Sequence, residues 1–259
     1  MKKKLFLLVG VVTVAAILLF AAVLPSLLSP SLSHTEEIEL YSPNMLHVGF
    51  QVSTEWAKRH VPPRFSVPAF TFMGVVSVML IPGTFSFRDN VYPVFLAIAA
   101  VAVEPLGVGP SASWLGWYVA KMFCNDTRVI TILRGYNVPC DYVEVDYSFQ
   151  TGETTNKSLV TLNDAEGNLL LSASIVWPEP TKGWDYTENY YHLAGDNLTI
   201  AHRQVQFPLF SRNAKANVTF PLNTFFFDLT GVNYVFNTAS VIVYGGRRER
   251  GEIGWLIWS

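Results

Sequence analysis

Apolar and polar positions alternate in short runs along most of the chain, and Gly, Pro, Asn or Asp closes nearly every run. "EIELYSPNMLHVGFQVS" is rich in aromatic and β-branched residues and predicts a strand ending near Gln51. "STEWAKRHVPP" opens on a capping-box-like Ser53/Thr54 and Glu55 and stops at Pro62, which predicts one short helix. "AFTFMGVVSVMLI" and "VYPVFLAIAAVAV" are continuous apolar runs separated by "PGTFSFRDN"; each is too short to cross a bilayer and reads as a buried strand. In the strand "SWLGWYVAKMF", alternation places Leu115, Trp117, Val119, Lys121 and Phe123 on one face. "NDTRVITILRG" predicts a short helix with Asn125 or Asp126 as cap and Gly135 as stop. "YVEVDYSFQ", "KSLVTLND" and "NLLLSASIVW" predict strands, the last two joined by a "NDAEGN" hairpin turn, and more alternating strands follow from Tyr190. Many short strands with few helices predict a mainly β (α+β) chain, closed or sandwiched.

The N-terminus breaks the pattern. Leu5 to Leu24 is a stretch of 20 uncharged residues behind Lys2, Lys3 and Lys4. It predicts a transmembrane signal anchor with the following chain extracytoplasmic. Cleavage as a signal peptide, giving a secreted protein, is the alternative. Residues 25–36, Pro/Ser-rich, read as a linker, and 37–259 as one domain. Four Asn-x-Ser/Thr sequons, at Asn125, Asn156, Asn197 and Asn217, agree with that compartment. So would a disulfide between Cys124 and Cys140; two buried free thiols are the other reading.

Composition narrows the function classes. The net charge is −2 with no basic stripe past the N-terminus, which argues against nucleic-acid binding. No phosphate-binding Gly loop, nucleophile elbow or Cys/His cluster is present, so no cofactor and no metal are expected. The five histidines are scattered and read as surface residues. "GGRRERGE", Gly245 to Glu252, reads as a solvated hairpin turn.

The order of elements carries one resemblance. "HVGFQVSTEWAKRHVPPRF", "GTFSFRDNVYPVFLAIAAVAV", "WYVAKMFCNDTRVITILRGYNVPCDYVEV" and "VTLNDAEGNLLLSASI" together resemble the acetoacetate decarboxylase family over roughly Ile38 to Trp177. The resemblance implies a cone-shaped antiparallel β-barrel with short helices, an apolar cavity, and a cavity lysine that forms a Schiff base with a β-keto acid. It also locates a departure. Pro139 keeps its place, but the family's lysine pair falls on Cys140 and Asp141. Its first-strand Arg falls near Gln51, its glutamates near Val76 and Pro93, and an acid near Arg134.

The resulting expectation is a membrane-anchored barrel that binds a small apolar or carboxylate ligand without Schiff-base decarboxylation. Arg134, Tyr136 and Gln51 are the ligand-binding candidates. The alternatives are an enzyme of altered chemistry, using Cys140 with Asp141 or a relocated amine at Lys121, and a structural or interaction module of the cell envelope. Lys121 would be activated if its face pointed into the barrel; otherwise it snorkels to water. Partners are the membrane and a small molecule, with the oligomeric state open.

Overall fold

A computed structural model describes residues 33–69, 75–105, 116–178 and 180–257. The strands are β1 (Ser33–Phe50), β2 (Phe65–Ser66), β3 (Val76–Phe87), β4 (Asn90–Pro105), β5 (Gly116–Cys124), β6 (Cys140–Tyr142), β7 (Glu144–Thr151), β8 (Thr155–Asn163), β9 (Leu169–Pro178), β10 (Thr181–Lys182), β11 (Asp185–Ala194), β12 (Asn197–Gln206), β13 (Leu209–Thr219) and β14 (Tyr234–Ile257). The helices are α1 (Thr54–Ala57), α2 (Thr127–Gly135) and α3 (Phe225–Thr230).

Seven strands close into a ring in the order β1-β3-β4-β5-β11-β12-β14, with β14 returning to β1. The closing pair runs from Ser33↔Trp255 to Val48↔Val241. From β14 the sheet continues through β13, β9, β8 and β7. Val143 alone separates β7 from β6, and β6 pairs with β5, so this wing is tied back to the ring.

The shared wall of β1, β3, β4, β5 and β14 therefore has protein on both faces, which is why its strands read as unbroken apolar runs. Val76, Val78 and Leu80 face the core under the wing, and Met79 and Ile81 the core inside the ring. On β4, Ala97, Ala99 and Val101 alternate in the same way with Leu96, Ile98 and Ala100.

Local chemistry fixes the helices and turns. Ser53 caps α1 by accepting from Trp56 N at 3.2 Å. Asp126 caps α2, accepting from Arg128 N at 2.8 Å and Val129 N at 3.3 Å. That helix buries Val129, Ile130 and Leu133 against the ring. Between β8 and β9 the Asp164 carboxylate accepts from the backbone N–H of Glu166 and Asn168, and Gly167 takes φ +83°.

Two expectations are corrected. The barrel is not wholly antiparallel: β5 and β11 run parallel, Asn189↔Gly116 to Tyr191↔Tyr118, because the segment between them passes through the wing before returning. The transmembrane helix is not part of this structure. Among the described residues no helix is long and apolar enough to cross a membrane. Leu5–Leu24, where the anchor was expected, lies outside the described residues, as does most of the linker. Membrane anchoring, the membrane as partner and extracytoplasmic placement are withdrawn on that finding.

Candidate active site inside the ring

The buried charged residues Glu188, Arg203, Arg247 and Glu249 converge inside the seven-stranded ring. On β14, Ile242 and Tyr244 face the ring core, and beyond the bend at Gly246 (φ +64°) Arg247 and Ile253 do so. The change from even to odd positions occurs without a register shift against β1, where Ser42↔Arg247 and Asn44↔Gly245 keep step, and the left-handed glycine lets the strand turn there. The "GGRRERGE" stretch is thus continuous strand, not a solvated turn, with Arg247 2 % and Glu249 1 % exposed.

Arg247 donates from Nε to Glu249 Oε1 at 2.6 Å, from Nη1 to Tyr186 Oη at 2.8 Å and from Nη2 to Glu188 Oε2 at 2.6 Å. Glu188 also accepts from Trp117 Nε1 at 2.6 Å and Tyr190 Oη at 2.9 Å. Glu249 Oε2 accepts from Arg203 Nη1 at 2.5 Å, and the Arg203 guanidinium lies 4.0 Å from the centre of the Tyr190 ring. Two cations thus balance two carboxylates.

Burial pushes the Glu249 carboxyl up, but Arg247 and Arg203 outweigh it and hold it below the usual range. Burial raises the phenols of Tyr186, Tyr190 and Tyr244, so all three are neutral. His47, bonded through Nε2 to Ser77 Oγ at 2.7 Å, is driven down to about 3 by burial and then by Arg247, and is neutral. A network of this kind is not an economical way to gain stability, since apolar side chains of similar volume would often serve as well. Buried charges grouped around a cavity are a functional-site signature.

One donor in the network is unsatisfied. Arg203, on β12, is 7 % exposed, and its Nε has no hydrogen-bond partner among the described residues. Arg203 lines a cavity of about 40 Å³ together with Tyr190, His192, Thr199 and apolar side chains that include Val119 and Met122. His192 is held by its Nδ1, 2.8 Å from the Val119 carbonyl, and its ring stacks on Tyr118 at 5.5 Å. Burial lowers its pKa more than the Val119 contact raises it. Thr199 Oγ1 donates to the Tyr136 carbonyl at 2.6 Å.

The residues singled out from sequence lie elsewhere or are inert. Cys124 and Cys140 are both buried and both free, so no bridge joins them. Burial raises the Cys124 thiol to about 11, and burial, then Cys124 and Asp141, carry Cys140 higher still. Neither thiol is poised as a thiolate nucleophile.

Lys121 does not share a face with Trp117 and Val119. The register of β5 on β4 slips at Ala120, from Ala100↔Val119 to Ala99↔Lys121, and this bulge turns Lys121 to the other side. There its Nζ lies 5.4 Å and 5.5 Å from the ring centres of Phe123 and Phe225 and pairs with Asp141 at 2.5 Å. Arg134 donates to Asp141 Oδ1 at 3.1 Å and to the Cys140 carbonyl at 2.8 Å. Burial raises the Asp141 carboxyl, but Lys121 and Arg134 pull it below the usual range.

Lys121, Asp141 and Arg134 thus meet, but as a partly exposed ion triad outside the cavity. Tyr136 reaches the Thr199 wall through its carbonyl only, and its ring packs on Phe87 at 6.2 Å. Gln51 is exposed past the end of β1. Of the sequon residues, Asn125 spends its Oδ1 on Phe95 N at 2.8 Å; Asn156 is half-buried, and Asn197 and Asn217 are exposed on strands. Among the described residues no lysine is buried.

No family model matches the chain, and no curated protein matches it. Solved structures do. The enduracididine biosynthesis enzyme MppR complexed with pyruvate superposes with a TM-score of 0.58 at 12 % identity, covering 89 % of this chain and 92 % of that one. A structure described as acetoacetate decarboxylase gives 0.57 at 9 % identity over 88 % and 91 % of the two chains. An acetoacetate decarboxylase-like enzyme from Sphingomonas wittichii RW1 gives 0.52 at 9 % identity over 85 % and 90 %. At such identities the likeness is one of fold: the chain has the acetoacetate-decarboxylase-like fold.

Proposed function

We propose that this chain is an enzyme on the acetoacetate-decarboxylase-like fold that acts on a small organic acid inside the seven-stranded ring, without an amine nucleophile. The observation that carries this reading is Arg203: a buried guanidinium with one donor unspent, beside a cavity. Such a donor costs stability until an acceptor meets it, and a carboxylate is the acceptor a guanidinium fits best. The fold likeness includes an enzyme solved with pyruvate, a short 2-oxo acid. The cavity is small, so only the shortest acids come into question, and Met122 in its wall is an adaptable side chain whose movement would widen it. Schiff-base chemistry has no support inside the ring, because among the described residues no lysine is buried and Lys121 pairs with Asp141 outside it.

Titration with pyruvate tests the reading. Saturable binding is expected for the wild type, weakened about tenfold or more in Arg203→Lys, which keeps the charge beside Glu249 but not the planar donor set. Borohydride added with pyruvate is expected to leave the mass of the chain unchanged. Absence of binding by pyruvate and by other short monocarboxylic acids, or a reduced adduct on a lysine, would overturn it.

A further inference from the structure

We infer that His192 is the catalytic base of this site, taking a proton from the carbon beside the carbonyl of a 2-oxo acid whose carboxylate Arg203 holds. The inference rests on the reading of the ring interior as a small-acid site and adds the group that does the chemistry.

The argument begins with the tautomer. The Val119 carbonyl only accepts, so His192 Nδ1, 2.8 Å away, must be the nitrogen that carries the hydrogen. In the neutral ring Nε2 then holds the lone pair. Burial favours that neutral form. Nε2 makes no hydrogen bond among the described residues, and His192 lines the same cavity as Arg203. Stacking on Tyr118 and the Val119 contact fix the ring plane. A base whose orientation is set by one nitrogen and whose other nitrogen is unspent is the arrangement proton abstraction needs.

The two side chains stand at different levels of one wall. In the β11–β12 pairing Glu188 is opposite Arg203 and His192 is opposite Thr199, with Tyr190 and Ala201 between. Both line the one cavity, so the assignment requires an acid anchored at Arg203 by its carboxylate to span the intervening Tyr190–Ala201 level and meet His192 at its other end. In the step itself the C–H bond breaks and its electron pair forms the enolate double bond. The carbonyl π pair moves onto oxygen, and the proton goes to Nε2, giving an imidazolium. The Arg203 cation offsets the added negative charge. Return of a proton from the imidazolium regenerates the acid, so in deuterated water the net change is replacement of methyl hydrogen by deuterium.

The test follows the methyl resonance of pyruvate in deuterated water. The wild type is expected to exchange these hydrogens well above the buffer rate. His192→Asn retains an amide N–H near the position of Nδ1 but supplies no base. It is expected to bind pyruvate within about twofold of the wild type and to exchange about a hundredfold more slowly. In the wild type, saturating pyruvate is expected to protect His192 from carbethoxylation by diethyl pyrocarbonate, read by peptide mass; this measurement stands even where the variant does not fold. Exchange in His192→Asn equal to the wild type, or carbethoxylation unaffected by pyruvate, would overturn the assignment. Binding without exchange in the wild type would sink the base and leave the binding reading standing. No binding at all would sink both.

Discussion

Two clusters of charge sit on opposite sides of the same strand wall. Inside the ring, Arg203 and Arg247 hold Glu188 and Glu249, all less than a tenth exposed. Across β5, Lys121 and Arg134 hold Asp141, whose side chain is 48 % exposed. Both are carboxylates between cations at hydrogen-bond distance, so contact geometry alone would rank them equal. Solvent separates them. Water screens the outer triad, and each member can lose a partner and be resolvated. Inside, a lost partner leaves a charge that nothing replaces. The inner group therefore carries a structural commitment and, through Arg203 Nε, an unspent buried donor; the donors of the outer group are open to water.

The comparison is tested most severely by breaking the inner network. Glu188→Ala strips acceptors from Arg247, Trp117 and Tyr190 together, and a loss of about 3–5 kcal/mol is expected in denaturant melts. A loss below about 1 kcal/mol, typical of exposed pairs, would mean that the interior is effectively solvated. Trp117→Phe removes a single donor from Glu188 while keeping an aromatic ring, with about 1–3 kcal/mol expected.

Acid titration separates the clusters further. The folded pKa of Glu249 is depressed, so its contribution is present above the unfolded carboxylate value and lost as pH falls through the folded one. His47 acts earlier. Its folded value is about 3 against 6.5 unfolded, so between these the unfolded chain takes up a proton that the folded chain refuses, and stability falls as pH drops through that window. His47→Gln is expected to flatten the stability profile between these two values; an unchanged slope would show that His47 is not held neutral. The smallest effect belongs outside. Asp141 has the same direction as Glu249, but its exposure leaves Asp141→Asn worth about 0–1 kcal/mol, with no change in pyruvate binding.

Much of the scaffold was legible. The apolar runs of β3 and β4 announced buried strands, and cap signals at Ser53/Thr54 and at Asn125 or Asp126 marked the starts of two helices, which Ser53 and Asp126 cap. The site was less so, for reasons with names. A bulge at Ala120 inverted the face of Lys121, and alternation cannot foresee an inserted residue. The Gly245-Gly246 pair reads as a turn but serves as a bend inside a long strand, which hid Arg247 and Glu249. One signal was available. In "LTIAHRQVQF", Arg203 falls in phase with Ala201, Val205 and Phe207, all buried: a charge on the apolar phase of a strand. In β11, Glu188 shares its phase with Tyr190 in the same way.

The claim that the ring interior, not the outer triad, receives the small acid is tested most directly by nuclear Overhauser contacts from the methyl group of bound pyruvate to the methyl-labelled protein. Contacts to Val119 and Met122, which line the cavity with Arg203, are the expected result. Contacts confined to residues around Lys121 and Asp141, with none to these two, would contradict the account.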